Sequence, residues 1–276
     1  MRRDPALRIR QSTEPRPLRN RIHLDVVRPP GEVERADLGP ASGPFEVRHT
    51  DPDGNEVDLV PGAALGGGIG TADWQTVFSA MACYRTTSST QQRDLTTAAA
   101  ALADNTGFPL LIDLRPGLVI FDSGKDQWEG AADGLDPDFA HLAGGLQTVA
   151  RELGATADHG LPRFPQLFFD AADVEAVRAF WVAALGYTRD QRAGVSDLQD
   201  PLQLNPVLVF QEIDASETER RRQRNRLHVE LDVPSDLAQT RLATSVAAGG
   251  RLLDESEDHW RVADPEGNEL VIVSSS

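Results

Sequence analysis

Arg224-Asn225-Arg226-Leu227-His228-Val229-Glu230-Leu231 opens the closing stretch of the chain, and Arg19-Asn20-Arg21-Ile22-His23-Leu24-Asp25-Val26 mirrors it near the start. Downstream of each copy comes a second shared string, Asp264-Pro265-Glu266-Gly267-Asn268-Glu269 in the later one and Asp51-Pro52-Asp53-Gly54-Asn55-Glu56 in the earlier one. Between them the later copy reads as strand, amphipathic helix and two strands, with one further strand after the turn. An internal repeat outranks any single motif as a fold signal. His23 to Asp51 spans 28 positions and His228 to Asp264 spans 36, so the first copy is shorter by eight. Prolines interrupt its middle, which predicts a crossover helix of a turn or two.

Both shared strings have a physical reading. In Asp-Pro-Asp/Glu-Gly-Asn, Pro fixes φ, Gly and Asn tolerate positive φ, and Asp bonds its own backbone two residues on, so a tight reversal between strands is expected. In Leu227-His228-Val229-Glu230-Leu231 the alternation puts His228 and Glu230 on one face and the apolar residues on the other.

The composition is that of a globular protein, with 40% hydrophobic and 25% charged residues. At 276 residues, about two domains are expected. A formal charge of -16 opposes binding to nucleic acid or to an anionic membrane, which leaves a small molecule or another protein as partner. Cys83 is the one cysteine, so no intrachain disulfide can form, and a cytoplasmic setting fits. Met1-Arg2-Arg3 is followed by Asp4-Pro5 instead of a long apolar run, so neither an export signal nor a membrane span is expected. Lys125 is the one lysine, which removes nearly every lysine-nucleophile mechanism. No Gly-x-Ser-x-Gly signature supports covalent hydrolysis.

Along the chain, Leu7 to Ser12 reads as a strand, and Gly62 to Gly70 as a Gly-rich linker without the Lys-Ser/Thr of a phosphate loop. Helices are predicted over Asp73 to Tyr84 and Arg93 to Ala103, strands over Pro109 to Leu114 and Leu118 to Asp122, and a helix over Asp136 to Leu153 that Gly154 ends. From Phe164 a strand-helix-strands unit begins, its helix over Asp173 to Leu185 burying Val177, Phe180 and Trp181. The boundaries expected are 1–62 for a partial repeat domain, 63–70 for the linker, 71–160 for a central α+β domain and 161–276 for a complete repeat domain.

Ala179-Phe180-Trp181 with Leu185-Gly186-Tyr187, Asn225-Arg226-Leu227-His228-Val229-Glu230 and the Asp264 turn, in that order, make Phe164 to Val273 resemble the glyoxalase/bleomycin-resistance, or vicinal oxygen chelate, superfamily. The resemblance implies an α+β fold of βαβββ modules, complete and paired in the carboxy-terminal domain and partial at the amino terminus, where the first half of the copy is absent. The central block is similar to pterin-4a-carbinolamine dehydratases in its helix-strand-strand-helix order. The His-His-Pro of that family is replaced by Gly107-Phe108-Pro109, and Phe121-Asp122-Ser123-Gly124-Lys125-Asp126-Gln127-Trp128 holds no histidine, so a degenerate, structural domain is expected.

The superfamily implies four metal positions per module pair. In the carboxy-terminal domain these are Gln166, Gln211, His228 and Val271, a set too poor in donors, so this pocket is expected to be metal-free. In the amino-terminal copy they are His23 and Asp58, a legitimate pair for Mn, Fe, Zn or Ni that a homodimer would complete across a twofold axis; otherwise the two are a polar pair on a packed sheet. His228 and Glu230 are candidate catalytic residues, or a hydrogen-bonded structural pair. Gln166, Phe168, Phe210, Gln211, Trp260 and Glu269 are candidate ligand-binding residues. The resemblance implies either a protein that binds a small polar or aromatic metabolite, as the antibiotic-resistance members do, or a lyase, isomerase or related enzyme of secondary metabolism.

Overall fold

In the computed structural model, described for residues 6–66, 69–130 and 134–275, the chain divides into two compact units. One comprises residues 26–42 and 59–164; the other comprises the described parts of 3–25, 43–58 and 165–276. The division cuts across the boundaries expected from sequence, because both ends of the chain contribute to the second unit.

The first repeat forms strand β1 (Ile22–Arg28), helix α1 (Pro30–Ala36) and strands β2 (Arg48–Thr50) and β3 (Glu56–Pro61). The two-turn α1 agrees with the proline-limited crossover, and Asp37 ends it in the left-handed region at φ 45°. Leu7 to Ser12, predicted as a strand, joins no ladder.

Strands β4 (Ala63–Ala64), β5 (Gln75–Thr76), β6 (Ser79–Arg85), β7 (Leu111–Arg115) and β8 (Leu118–Lys125) form the sheet of the first unit in the order β4-β5-β6-β8-β7, with β9 (Thr156–Ala157) added to β6. Helices α2 (Ser89–Thr106) and α3 (Pro137–Glu152) complete it. Trp74, Tyr84, Phe121, Phe139 and Leu146 lie in its core. The helix predicted over Asp73 to Tyr84 is instead the β5–β6 hairpin. Its reversal holds Phe78 at φ 66°, a conformation for which the side chain gives no cue. Of the predicted linker, Gly67 and Gly68 lie outside the described residues, and Ala63–Ala64 pairs with β5.

The second unit contains β10 (Phe164–Ala171), α4 (Val174–Leu185), β11 (Thr188–Arg189), β12 (Leu198–Gln199) and β13 (Val207–Glu212). After the short helix α5 (Thr218–Arg222) come β14 (Val229–Pro234), α6 (Ser235–Ala247), β15 (Arg251–Glu255), β16 (His259–Ala263) and β17 (Glu269–Ser275). Two strand-helix-strands modules therefore follow one another, each with its first strand parallel to its last, β10 to β13 and β14 to β17. They do not share a sheet. The last module stands alone in the order β14-β17-β16-β15, whereas β10 is flanked by β1, giving β11-β12-β13-β10-β1-β3-β2. Strands β1, β3 and β2 thus continue the sheet that β10 to β13 begin. Phe169, Trp181, Phe210, Trp260, Val262 and Ile272 share one core with Ile22.

Where the copies meet, they brace each other reciprocally. The Arg21 amide donates to Asn225 Oδ1 at 2.8 Å and the Arg226 amide donates to Asn20 Oδ1 at 2.8 Å. The two turns are matched bond for bond. Asp51 Oδ1 accepts from the amides of Asp53 and Asn55, and Asp264 Oδ1 from those of Glu266 and Asn268; Asn55 and Asn268 each donate Nδ2 to the second carboxylate oxygen at 2.7 Å. Gly54 at φ 82° and Gly267 at φ 88° supply the left-handed residue. Burial separates them. The Asn55 side chain, first among several donors, holds Asp51 below the ordinary carboxylate range. Desolvation pushes Asp264 above it despite the matching donors and a further bond from Trp181 Nε1 at 3.0 Å.

Candidate metal and ligand site

β1 alternates, so His23 and Asp25 emerge on one face and Ile22 goes into the core. β3 brings Asp58 to the same place. The ligand atoms of His23, Asp25 and Asp58 all lie within 4.8 Å of one another. His23 Nε2 is 3.5 Å from Asp25 Oδ1 and 3.9 Å from Asp58 Oδ2. All three belong to the second unit. All three come from one chain, where the sequence reading had taken only His23 and Asp58 from it.

The site is walled by β10. The Phe168 ring stacks on the His23 imidazole with centroids 5.2 Å apart, and Gln166 Nε2 lies 3.4 Å from Asp25 Oδ2. Arg48, opposite Asp58 in the β2–β3 ladder, reaches 3.8 Å from Asp58 Oδ1 and from Glu56; Arg19 pairs with Glu56 at 3.1 Å. Burial, reinforced by Arg19, lowers the His23 pKa to about 4, with Asp58 pulling the other way. The ring is therefore neutral at physiological pH and has a lone pair to offer.

The donor set fits a divalent cation. His23, Asp25 and Gln166 are buried, and a neutral imidazole does nothing to offset two carboxylates drawn from water. Asp58 Oδ1 and Gln166 Oε1 are buried without a hydrogen-bond donor, as is His23 Nδ1 without a partner. One imidazole with two carboxylates and an amide oxygen suits Mn or Fe and, among harder ions, Mg. Asp25 was missed in the sequence reading, although the two-residue alternation that pairs His228 with Glu230 places it beside His23.

The other candidates are not among the three clustered ligands. Gln211 is across the β10–β13 ladder from Asp170 and donates to its carboxylate, which Arg220 also holds. Phe210 stacks on Phe169 at 5.2 Å in the core, on the far side of the sheet from Phe168. Trp260, expected to face a pocket, is a core residue whose Nε1 donates to Glu255 at 3.2 Å.

Glu269 repeats Glu56. It is held by Arg224 at 2.5 Å and lies 3.7 Å from Arg261, as Glu56 is held by Arg19 and Arg48. His228 and Glu230 occupy the positions of His23 and Asp25, but the position of Asp58 is Val271, which pairs with Glu230 and with Arg261. His228 is exposed as a residue, while desolvation of its ring holds its pKa below the ordinary value.

Residues 166–273 match the sequence profile of the glyoxalase-like domain family. No curated protein matches the chain. Among solved structures, a glyoxalase/bleomycin resistance protein/dioxygenase family enzyme from Burkholderia phytofirmans PsJN aligns at 17% identity and TM-score 0.32, over 39% of this chain and 94% of that one. A glyoxalase-related enzyme from Fulvimarina pelagi aligns at 19% identity and TM-score 0.32, over 39% and 84%. A point mutant of the fosfomycin resistance protein FosX from Listeria monocytogenes, complexed with Mn(II) and 1S,2S-dihydroxypropylphosphonic acid, aligns at 12% identity and TM-score 0.32, over 40% and 86%. Among the described residues no helix is long and apolar enough to cross a membrane.

Proposed function

We propose that the second unit binds one divalent cation through His23, Asp25 and Asp58, with Gln166 beside it, and holds a small oxygen-bearing metabolite against that cation. The observation that carries this reading is the buried convergence of a neutral imidazole with two carboxylates inside 4.8 Å. A bound cation supplies Lewis-acid polarisation of a substrate oxygen. The chain's own residues do the rest. Phe168 fixes the His23 ring by stacking, and Arg48 limits the charge on Asp58.

Two activities fit such a site, sequestration of the metabolite or its lyase- or isomerase-type conversion. The glyoxalase-like domain at 166–273 agrees with either. The second repeat, with Val271 in place of a carboxylate, is read as metal-free. The first unit is read as a scaffold, a dehydratase-like block without the family's histidines. Calorimetric titration of the metal-stripped chain with Mn²⁺ tests the assignment. Asp25→Asn and Asp58→Asn are each expected to weaken binding at least tenfold, and equal affinity in all three proteins refutes it.

A further inference from the structure

The two copies differ in what lies against the strand at each histidine. β1 is flanked on both sides, by β10 and β3, whereas β14 is an edge strand with β17 on its inner side. Accordingly His23 is 3% exposed while His228 is exposed. Residues 7–10 approach this open face. Their alternation turns Arg8 and Arg10 toward Glu230, at 2.5 Å and 3.6 Å, and leaves Leu7 and Ile9 in solvent, 69% and 95% exposed. Glu230 stands where the first copy has Asp25, one of the cluster carboxylates.

We propose that the second copy is a cation site of the same build in which the guanidiniums of Arg8 and Arg10 take the place of the metal ion, so that the amino-terminal segment plugs it. The proposal rests on the reading of His23, Asp25 and Asp58 as a metal site. The exchange is chemically consistent. Val271 removes one carboxylate from the set, leaving the imidazole of His228 and a single charge on Glu230. Two donors with one charge hold a divalent ion poorly, but one carboxylate is well matched to a guanidinium, which needs no octahedral shell. Glu269 is not free to add a charge, since Arg224 and Arg261 hold it.

Mn²⁺ binding to the chain of residues 1–276 tests this by calorimetry and electron paramagnetic resonance. The background carries His23→Ala and Asp58→Asn, which silence the first site. Adding Val271→Asp alone, or Arg8→Ala with Arg10→Ala alone, is expected to give weak binding. The combination is expected to bind one Mn²⁺ per chain at least tenfold more tightly than either. Equal binding by Val271→Asp alone overturns the plug, and no binding by a folded combined variant overturns the site. Should the combined variant not fold, Arg8→Glu with Arg10→Glu in the otherwise unmutated chain changes exposed side chains only. One Mn²⁺ more than the unmutated chain is expected there, and no gain overturns the proposal. Failure of the first-site reading shows separately, as absence of Mn²⁺ binding by the unmutated chain.

Discussion

Asn225→Ala cuts the reciprocal brace that seats the amino-terminal half-module. Asn225 Oδ1 is the acceptor for the Arg21 amide, a buried bond of 2.8 Å, and its Nδ2 donates to Asn268 Oδ1 at 2.7 Å. Truncation leaves the Arg21 N–H buried without an acceptor, which costs about 1–3 kcal/mol. Asn268 Oδ1 keeps its bond from Arg21 Nη1 at 3.0 Å, so the second loss is that of one ordinary hydrogen bond, about 0.5–1.5 kcal/mol. A total of roughly 2–4 kcal/mol is expected. Asn20→Ala removes the acceptor for the part-buried Arg226 amide and is expected to cost about half as much.

The two exchanges lie at one crossing, so the double variant should lose less than the sum, with a coupling of roughly 0.5–3 kcal/mol. Hydrogen exchange by mass spectrometry across a urea series is the suitable assay, because it follows the two units separately where a single unfolding curve would merge them. Protection should fall in β1, β10 and β17 while α2 and α3 are unchanged. Loss below about 0.5 kcal/mol in the second unit, or equal loss in both units, would refute the brace.

Trp181→Phe deletes the Nε1 donor to the buried Asp264 and should lower the stability of the second unit by about 1.5–3 kcal/mol, read from its unfolding midpoint. Gly250→Ala would place a Cβ 2.6 Å from both Phe180 Cε2 and the Ser245 carbonyl oxygen, so a cost of about 1–3 kcal/mol should appear in thermal unfolding. In the metal-stripped protein the pKa of His23, lowered to about 4, makes the unfolded chain take up its proton first. Stability is then full above about pH 6.5 and falls toward pH 4, by up to roughly 2–4 kcal/mol, and His23→Gln should flatten that slope in urea titrations.

The strands and turns of the repeat were legible because their signals are local. Alternation set the faces, and the Asp-Pro-x-Gly-Asn string dictates the same bonds at Asp51 and Asp264. The pairing of β1 with β10 was not legible, since nothing in either strand names its neighbour across more than a hundred residues. The two readings of His23 and Asp58, as half of a site completed across a dimer or as a polar pair on a packed sheet, were drawn without that pairing. Asp25 was within reach of the alternation rule. Trp260 and Phe210 look like pocket aromatics in sequence, yet strand phase turns both into the core. Leu7 to Ser12 alternates like a strand but finds no ladder, and Arg8 and Arg10 meet Glu230 through side chains alone.

Metal content by inductively coupled plasma mass spectrometry, measured on fractions of defined solution mass, tests the central claim most directly. One divalent ion per chain, present in monomeric fractions and lost in both His23→Ala and Asp25→Ala, is the predicted result. Absence of metal after incubation with Mn²⁺, Fe²⁺ and Mg²⁺, or metal retained after loss of His23 and Asp25, would contradict it.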